Sequence, residues 1–300
     1  MISVVLYQDR NYDINTRIKD GIDSVYKYFI NNLDIYNFKY VSYDNFELIK
    51  ADYAFMWNIY TISKRNTRYR KEVEKFQKKN NNKLIIIELG FINRAIYYSL
   101  GYNSISNFGN YPTFPNNNNR LKKLNLSDNI EFHYDYDKDR YILFCLQLID
   151  DAQVCNFNYE EWVLNTIRKI KSLTNRKIII RKHPLNKLRV FNKKWFNSHK
   201  INIEYSKNSL DEDLNNSYCV IAFNSTVLVD AVLKSVPIIA GHYSSIVYDI
   251  SEKDLENIEN LKKFNKNNIQ KCLRNISYKQ WTTKEISNGT PLKYLIKDEF

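Results

Sequence analysis

Short apolar runs that end in polar residues, separated by segments of helical period, recur along the whole chain. This alternation constrains the fold more than any other feature. Ile2–Tyr7, Phe38–Ser42, Tyr53–Trp57 and Leu84–Glu88 read as buried strands. Between the first two, Ile18, Ile22, Val25 and Phe29 recur at helical spacing, and Thr61–Asn80 reads as a strongly basic helix. From Tyr97 to Leu126 the chain turns irregular and rich in Asn, Gly and Pro, which places a domain boundary near residue 130. The alternation then restarts. Tyr141–Gln147 is a strand, Tyr159–Leu173 a helix with Val163, Ile167, Ile170 and Leu173 on one face, and Lys177–Pro184 the next strand and its exit. Ile201–Tyr205, an acidic helix Leu210–Asn216, the strand Tyr218–Phe223, an apolar helix to Lys234 and the strand Pro237–Gly241 follow. Strands alternating with helices predict parallel sheets covered by helices. The expected domains are 1–130 and 131–275. A tail, 276–300, carries Trp281, Leu292, Tyr294, Leu295 and Ile296 and is expected to pack back across both.

The 300 residues, 44% of them hydrophobic, suffice for two domains with real cores. Lys and Arg number 45 against 33 Asp and Glu, and the resulting +12 favours an anionic partner such as a nucleotide, nucleic acid or anionic glycan. The chain is also crowded with Asn, Ile and Tyr, the usage of an AT-rich genome that prefers lysine anyway, so charge alone does not choose among them. Cys145, Cys155, Cys219 and Cys272 lie far apart without C-x-x-C or partnered histidine spacing, which points to neither a zinc site nor a disulfide framework. The first apolar run is too short for a signal peptide, and no later run reaches the length of a transmembrane segment. The expectation is a soluble cytoplasmic protein, in the host cytoplasm if viral.

The chemistry is concentrated at strand ends. In an open parallel sheet, ligands bind outside the carboxyl ends of the strands, which is where Arg181, Lys182 and His183 would sit, with Pro184 fixing the turn. Such a corner suits a phosphate, although a histidine after a strand also serves simply to cap it. Asn224-Ser225-Thr226, between a strand and an apolar helix, is expected to aim backbone N–H groups and hydroxyls at the same region; the structural alternative is an ordinary N-cap. In the first half, Glu88 ends a strand, with Gly90 two residues on to admit another backbone or a ligand. That suits a general base, or else a salt-bridged surface glutamate.

In their order along the chain, Ile142–Val154 with Gln147 and the pair Asp150-Asp151, then Arg181-Lys182-His183-Pro184, Asn224-Ser225-Thr226 and Gly241 resemble capsule-polysaccharide-type glycosyltransferases. The nearest likeness is to the β-Kdo transferases, over roughly residues 84 to 250. The resemblance implies an α/β GT-B architecture, two Rossmann-like domains with parallel sheets facing across a cleft, and transfer of a sugar from a nucleotide-sugar donor to a hydroxyl, inverting and metal-independent. It implies that His183 contacts the donor phosphate, with Arg181 and Lys182 beside it, that Asn224, Ser225 and Thr226 cap it, and that Gln147 and Asp150 line the donor site. Glu88 matches the glutamate of a Glu-Asp-Gly element, but Leu89 stands where that element has aspartate, which puts the base in question; Glu88 is expected first, Asp151 second and Asp150 behind it. Asp135-Tyr136-Asp137 resembles a metal-binding Asp-x-Asp and reads here as loop charge, so no metal and no cofactor beyond the donor co-substrate is expected.

The stretch Arg94 to Arg120 is similar to phage-encoded relatives. That likeness favours a hydroxymethylated base in DNA over a capsule or surface glycan as acceptor, and Gly90, Arg94 and Asn103 are expected on the acceptor side. The competing classes are a non-catalytic nucleic-acid-binding protein using the basic helix, and a nucleotide-sugar epimerase of the same two-domain plan.

Overall fold

The computed structural model describes residues 1–61, 67–126, 130–133, 139–186 and 190–296. The chain divides into two compact units, Met1–Arg120 with Arg274–Phe300, and Leu121–Leu273. The first unit opens with β1 (Ile2–Tyr7), α1 (Thr16–Ile30), β2 (Tyr36–Val41), β3 (Tyr53–Trp57), α2 (Arg68–Lys79), β4 (Lys83–Leu89) and β5 (Tyr97–Tyr102). α1 starts where the Asn15 side chain accepts the N–H groups of Arg17 and Ile18. It buries Ile18, Ile22, Val25 and Phe29, the face its apolar period predicts. Gly21 lets this helix approach the sheet, since a Cβ there would lie 2.7 Å from the Trp57 ring.

α3 (Asn119–Lys123) precedes the second unit. There β6 (Tyr141–Cys145), α4 (Tyr159–Leu173), β7 (Ile178–Arg181), α5 (Lys193–Ser198), β8 (Glu204–Tyr205), α6 (Leu210–Asn215), β9 (Ser217–Ala222), α7 (Val227–Leu233) and β10 (Ile238–Ala240) follow in turn, then α8 (Lys266–Ser277). The five strands form an all-parallel sheet in the order β10-β9-β6-β7-β8. Its central strands β6, β9 and β10 are buried on both faces, which is why they read as near-unbroken apolar runs, whereas edge strand β8 is exposed at Glu204.

The chain then returns to the first unit as β11 (Gln280–Thr282), α9 (Thr283–Ser287) and α10 (Leu292–Leu295), completing a sheet ordered β11-β5-β4-β3-β1-β2. Two expectations change here. The irregular stretch after Tyr97 begins with a true strand, β5, which runs antiparallel to β4, and β11 runs antiparallel to β5, so only β2, β1, β3 and β4 are mutually parallel. The tail enters the core of the first unit, where Trp281, Ile286, Leu292, Leu295 and Ile296 join Phe29, Phe55 and Ile87. Buried Arg120 holds it there, pairing with Glu285, donating to the carbonyls of Ser277 and Gln280, and lying 4.2 Å from the Trp281 ring centroid. An Arg–carboxylate pair with its remaining donors on carbonyls is a satisfied buried charge.

α2 falls inside the expected basic helix, of which residues 62–66 lie outside the described residues, as does Asp135-Tyr136-Asp137. Among the described residues no helix is long and apolar enough to cross a membrane.

Candidate functional site

In the second sheet the winding direction reverses at β6, with β7 and β8 on one side and β9 and β10 on the other. Ligands of open parallel sheets bind outside the carboxyl ends at such a reversal. Each strand bordering it leaves the sheet through a polar residue: His242 follows β10, Asn224 follows β9, Gln147 follows β6 and His183 follows β7.

The middle two are tied together. Gln147 Nε2 donates to Asn224 Oδ1 at 2.8 Å, and the Asn224 backbone N–H donates to Gln147 Oε1 at 3.1 Å. The second side of Asn224 is used as well, with Nδ2 donating to the Gln153 carbonyl at 2.9 Å and to Ser244 Oγ at 2.7 Å. Gln147 and Asn224 are 5% and 3% exposed, and every polar atom of the Asn224 side chain is engaged inside the protein. The side-chain donors that the sequence assigned to a donor ligand are thus engaged within the fold, each amide bonded to the other where two strand ends meet.

The outer two positions are histidines with a shared local geometry. His183 Nδ1 accepts the Leu185 N–H at 3.1 Å, and His242 Nδ1 accepts the Ser244 N–H at 3.2 Å, each two residues ahead. A ring nitrogen that accepts carries no proton, so each imidazole is the neutral tautomer with its proton on Nε2. His242 Nδ1 also meets Ser244 Oγ at 2.8 Å, joining it to the Asn224 network. Burial holds the His242 pKa below the ordinary histidine value. Its ring stacks on Phe223 at 5.0 Å and 14°, with Phe157 on its flank. The His183 ring at the end of β7 is thus fixed through Nδ1 by its own loop.

The two cations beside His183 also turn elsewhere. Arg181 donates to the buried carboxylate of Asp213 at 2.5 Å and to the Asn208 carbonyl at 3.0 Å, and Lys182 lies 3.9 Å from the centroid of Tyr205. Alternation along a strand sends consecutive side chains to opposite faces, which is why a basic tripeptide does not act as one cluster. Ser225 and Thr226 remain half-buried at the start of α7, Ser225 Oγ accepting the Val227 N–H at 3.3 Å. Asp151 accepts the Gln153 N–H at 2.8 Å and, like Asp150, is half-exposed in the turn after β6. Gly241 matters by its missing side chain, since a Cβ there would lie 2.2 Å from the Trp162 indole, which itself stacks on Tyr159.

In the first unit Glu88 sits half-buried near the carboxyl end of β4, its Oε1 accepting the N–H of Leu89 at 2.8 Å. The space beside Gly90 is filled from within: a Cβ would meet Tyr97 at 2.8 Å and Gln280 at 3.0 Å. Gly90 therefore admits a backbone rather than a ligand. Arg94 is exposed on the following turn. Asn103 is exposed too, but antiparallel β5 carries it to the opposite edge, where its N–H donates to the Leu84 carbonyl at the start of β4. It does not share an edge with Glu88 and Arg94. The sequence reading missed Asp9, which is 1% exposed just past β1 and takes hydrogen bonds from Tyr69 and Arg70. Among the described residues no three His, Cys, Asp or Glu side chains group as a metal site.

No protein-family model and no curated protein matches the chain. Among solved structures it is similar to the β-Kdo 2,7 transferase KpsC of Thermosulfurimonas dismutans, with 15% identity, 98% of this chain and 100% of that chain covered, and a TM-score of 0.56. A UDP-GlcNAc 2-epimerase of Methanocaldococcus jannaschii aligns over 98% of this chain and 99% of that one at 13% identity and a TM-score of 0.32. The wall teichoic acid polymerase TagF aligns over 92% and 82% at 14% identity and a TM-score of 0.27. The likeness to KpsC establishes the fold, the GT-B plan of two Rossmann-like α/β units.

Proposed function

We propose that the chain is a glycosyltransferase that binds a nucleotide sugar at the carboxyl edge of the second sheet and transfers the sugar to an acceptor hydroxyl. The observation that carries this reading is the pair of Nδ1-anchored neutral imidazoles, His183 and His242, flanking the reversal point with the Ser225 and Thr226 hydroxyls between them in strand order. A ring fixed through Nδ1 presents Nε2–H as a preorganised donor, and preorganised donors are effective where charge develops in a transition state. In this scheme the acceptor oxygen bonds to the anomeric carbon as the bond to the nucleotide phosphate breaks. The electron pair leaves with the phosphate, where His183 Nε2–H, Ser225 and Thr226 receive it. The acceptor proton passes to a carboxylate. Glu88 and Asp151 are the two candidates, each near the carboxyl edge of its own sheet, and Asp150 binds donor beside Asp151. The fold shared with a β-Kdo transferase supports transfer as the chemistry.

The test is transfer from a panel of nucleotide sugars to hydroxymethylated DNA and to bacterial surface glycans, read as labelled sugar in the product. His183→Ala should lower turnover about 100- to 1,000-fold, the usual loss for one donor to a developing anion. Full activity in that variant would refute the assignment. Conversion of the donor's sugar without any acceptor would replace transfer with epimerisation.

A further inference from the structure

We propose that the outward face of α2 is a binding surface for the phosphodiester backbone of a nucleic acid. Half of the chain's net charge of +12 resides in residues 61–80, which hold eight basic residues against two glutamates. Within α2 the buried positions are Tyr69, Arg70, Val73 and Gln77. Arg70 turns inward and is neutralised by Asp9, so it takes no part in the surface.

Arg68, Lys71, Lys75, Lys78 and Lys79 are all exposed, and at 3.6 residues per turn they fall within a sector of about 100° opposite the buried face. Glu72 and Glu74 are exposed at the two borders of that sector, not inside it. Among the described residues none of the five cations forms an ion pair, although other exposed lysines of the chain, such as Lys19 and Lys234, do. Lys71 lies 4.9 Å from the centroid of the Tyr60 ring.

The stripe covers about 16 Å of helix axis, and one strand of a duplex carries about five phosphates over that length, so cations and phosphates correspond roughly one to one. The helix is also anchored, since Tyr69 and Arg70 lock its first turn onto Asp9, just past the end of β1. A rigid row of uncompensated charge loses little entropy on binding. Tyr60 adds an aromatic face of the kind that single-stranded nucleic acids stack on. The surface lies in the first unit and shares no residue with the donor site in the second. The inference therefore stands apart from the transferase reading; joined to it, it makes the nucleic acid the acceptor.

The experiment is fluorescence anisotropy of a labelled 20-base-pair DNA with the full chain between 50 and 300 mM NaCl. The triple variant Lys75→Gln, Lys78→Gln, Lys79→Gln is compared with Lys171→Gln, Lys193→Gln, Lys207→Gln in the second unit. All replaced side chains are exposed lysines, and glutamine keeps their helix propensity, so folding is checked by melting temperature. The α2 variant should weaken binding about 10- to 100-fold at low salt and flatten the plot of log K against log salt by roughly 2 to 3, while the second-unit variant leaves both unchanged. Unaltered DNA binding in the α2 variant, or a loss carried by the second-unit variant, would overturn the proposal. So would displacement of the DNA by polygalacturonate as effective as by unlabelled DNA at equal charge, which would make the surface one for anionic glycans. Nucleotide-sugar binding measured on the same variants reports separately on the donor site and should not change.

Discussion

Gln147 and Asn224 exchange two hydrogen bonds across the reversal point of the second sheet, one from side chain to side chain and one from backbone to side chain. The exchange closes the crevice floor between β6 and β9 with two buried amides and sets the histidines on either side as the groups able to address a ligand. Removing Gln147 leaves Asn224 Oδ1 and its backbone N–H without these bonds, and removing Asn224 leaves Gln147 Nε2 without its acceptor; a buried polar group orphaned in this way costs about 1–3 kcal/mol. Gln147→Leu and Asn224→Leu should each destabilise the fold by that amount in urea denaturation. The double variant should cost less than the sum, because the orphaned group disappears with its partner.

Gly241 is predicted to be intolerant of any side chain. Gly241→Ala would drive a methyl group into Trp162, and overpacking of this kind costs about 1–3 kcal/mol. The melting temperature should fall and the Trp162 environment should change in fluorescence.

Glu252 should make the fold sensitive to acid. Burial raises its pKa, but N–H groups of Asp254, Lys253 and Lys262 donate to its carboxylate and outweigh burial, so the folded value lies below the ordinary one. The unfolded chain therefore binds a proton first as pH drops. The stability this carboxylate contributes is fully present above its unfolded pKa near 4.5 and is lost as pH falls through the lower folded value. Wild type and Glu252→Gln should thus differ in denaturation midpoint at pH 7 and converge toward pH 3.

His242 sets a second pH dependence of the same direction. Its depressed pKa means that the unfolded state takes up a proton first, so stability declines as pH falls below about 6.5, the unfolded value. The slope of stability against pH between 5 and 7 should diminish in His242→Asn.

Much of the architecture was legible in the chain because buried parallel strands carry a plain signal. β1, β3 and α4 run between the residues that apolar periodicity predicts, β7 and β10 lie inside their predicted runs, and β9 is offset from its run by one residue. β5 was not legible: Tyr97–Tyr102 mixes Gly, Ser and Tyr, and although β4 directly precedes it, its other partner β11 lies beyond the whole second unit in sequence. At the site, residue type located the strand ends correctly but could not report orientation. Asn224 and Gln147 turn inward toward each other, and Arg181 turns to Asp213, a partner 32 residues on. His242 was overlooked because His-Tyr-Ser-Ser after a glycine has no spacing pattern. The signal that finds it is positional, a polar residue at the carboxyl end of every strand flanking the reversal.

Glu88→Gln and Asp151→Asn separate the two carboxylates. The residue that takes the acceptor proton should lose about 100- to 10,000-fold in turnover with donor affinity kept, and the other should change turnover less than tenfold. Steady-state kinetics with a competent donor and acceptor decides between them.

The most direct measurement is calorimetric titration of the full chain with a panel of nucleotide sugars, repeated with His183→Ala and with Ser225→Ala, Thr226→Val. The account predicts one donor bound per chain, with a dissociation constant in the range of about 1 μM to 1 mM typical of enzyme substrates, and at least tenfold weaker binding in both variants. A donor that binds wild type and both variants equally would place the nucleotide elsewhere and contradict the account.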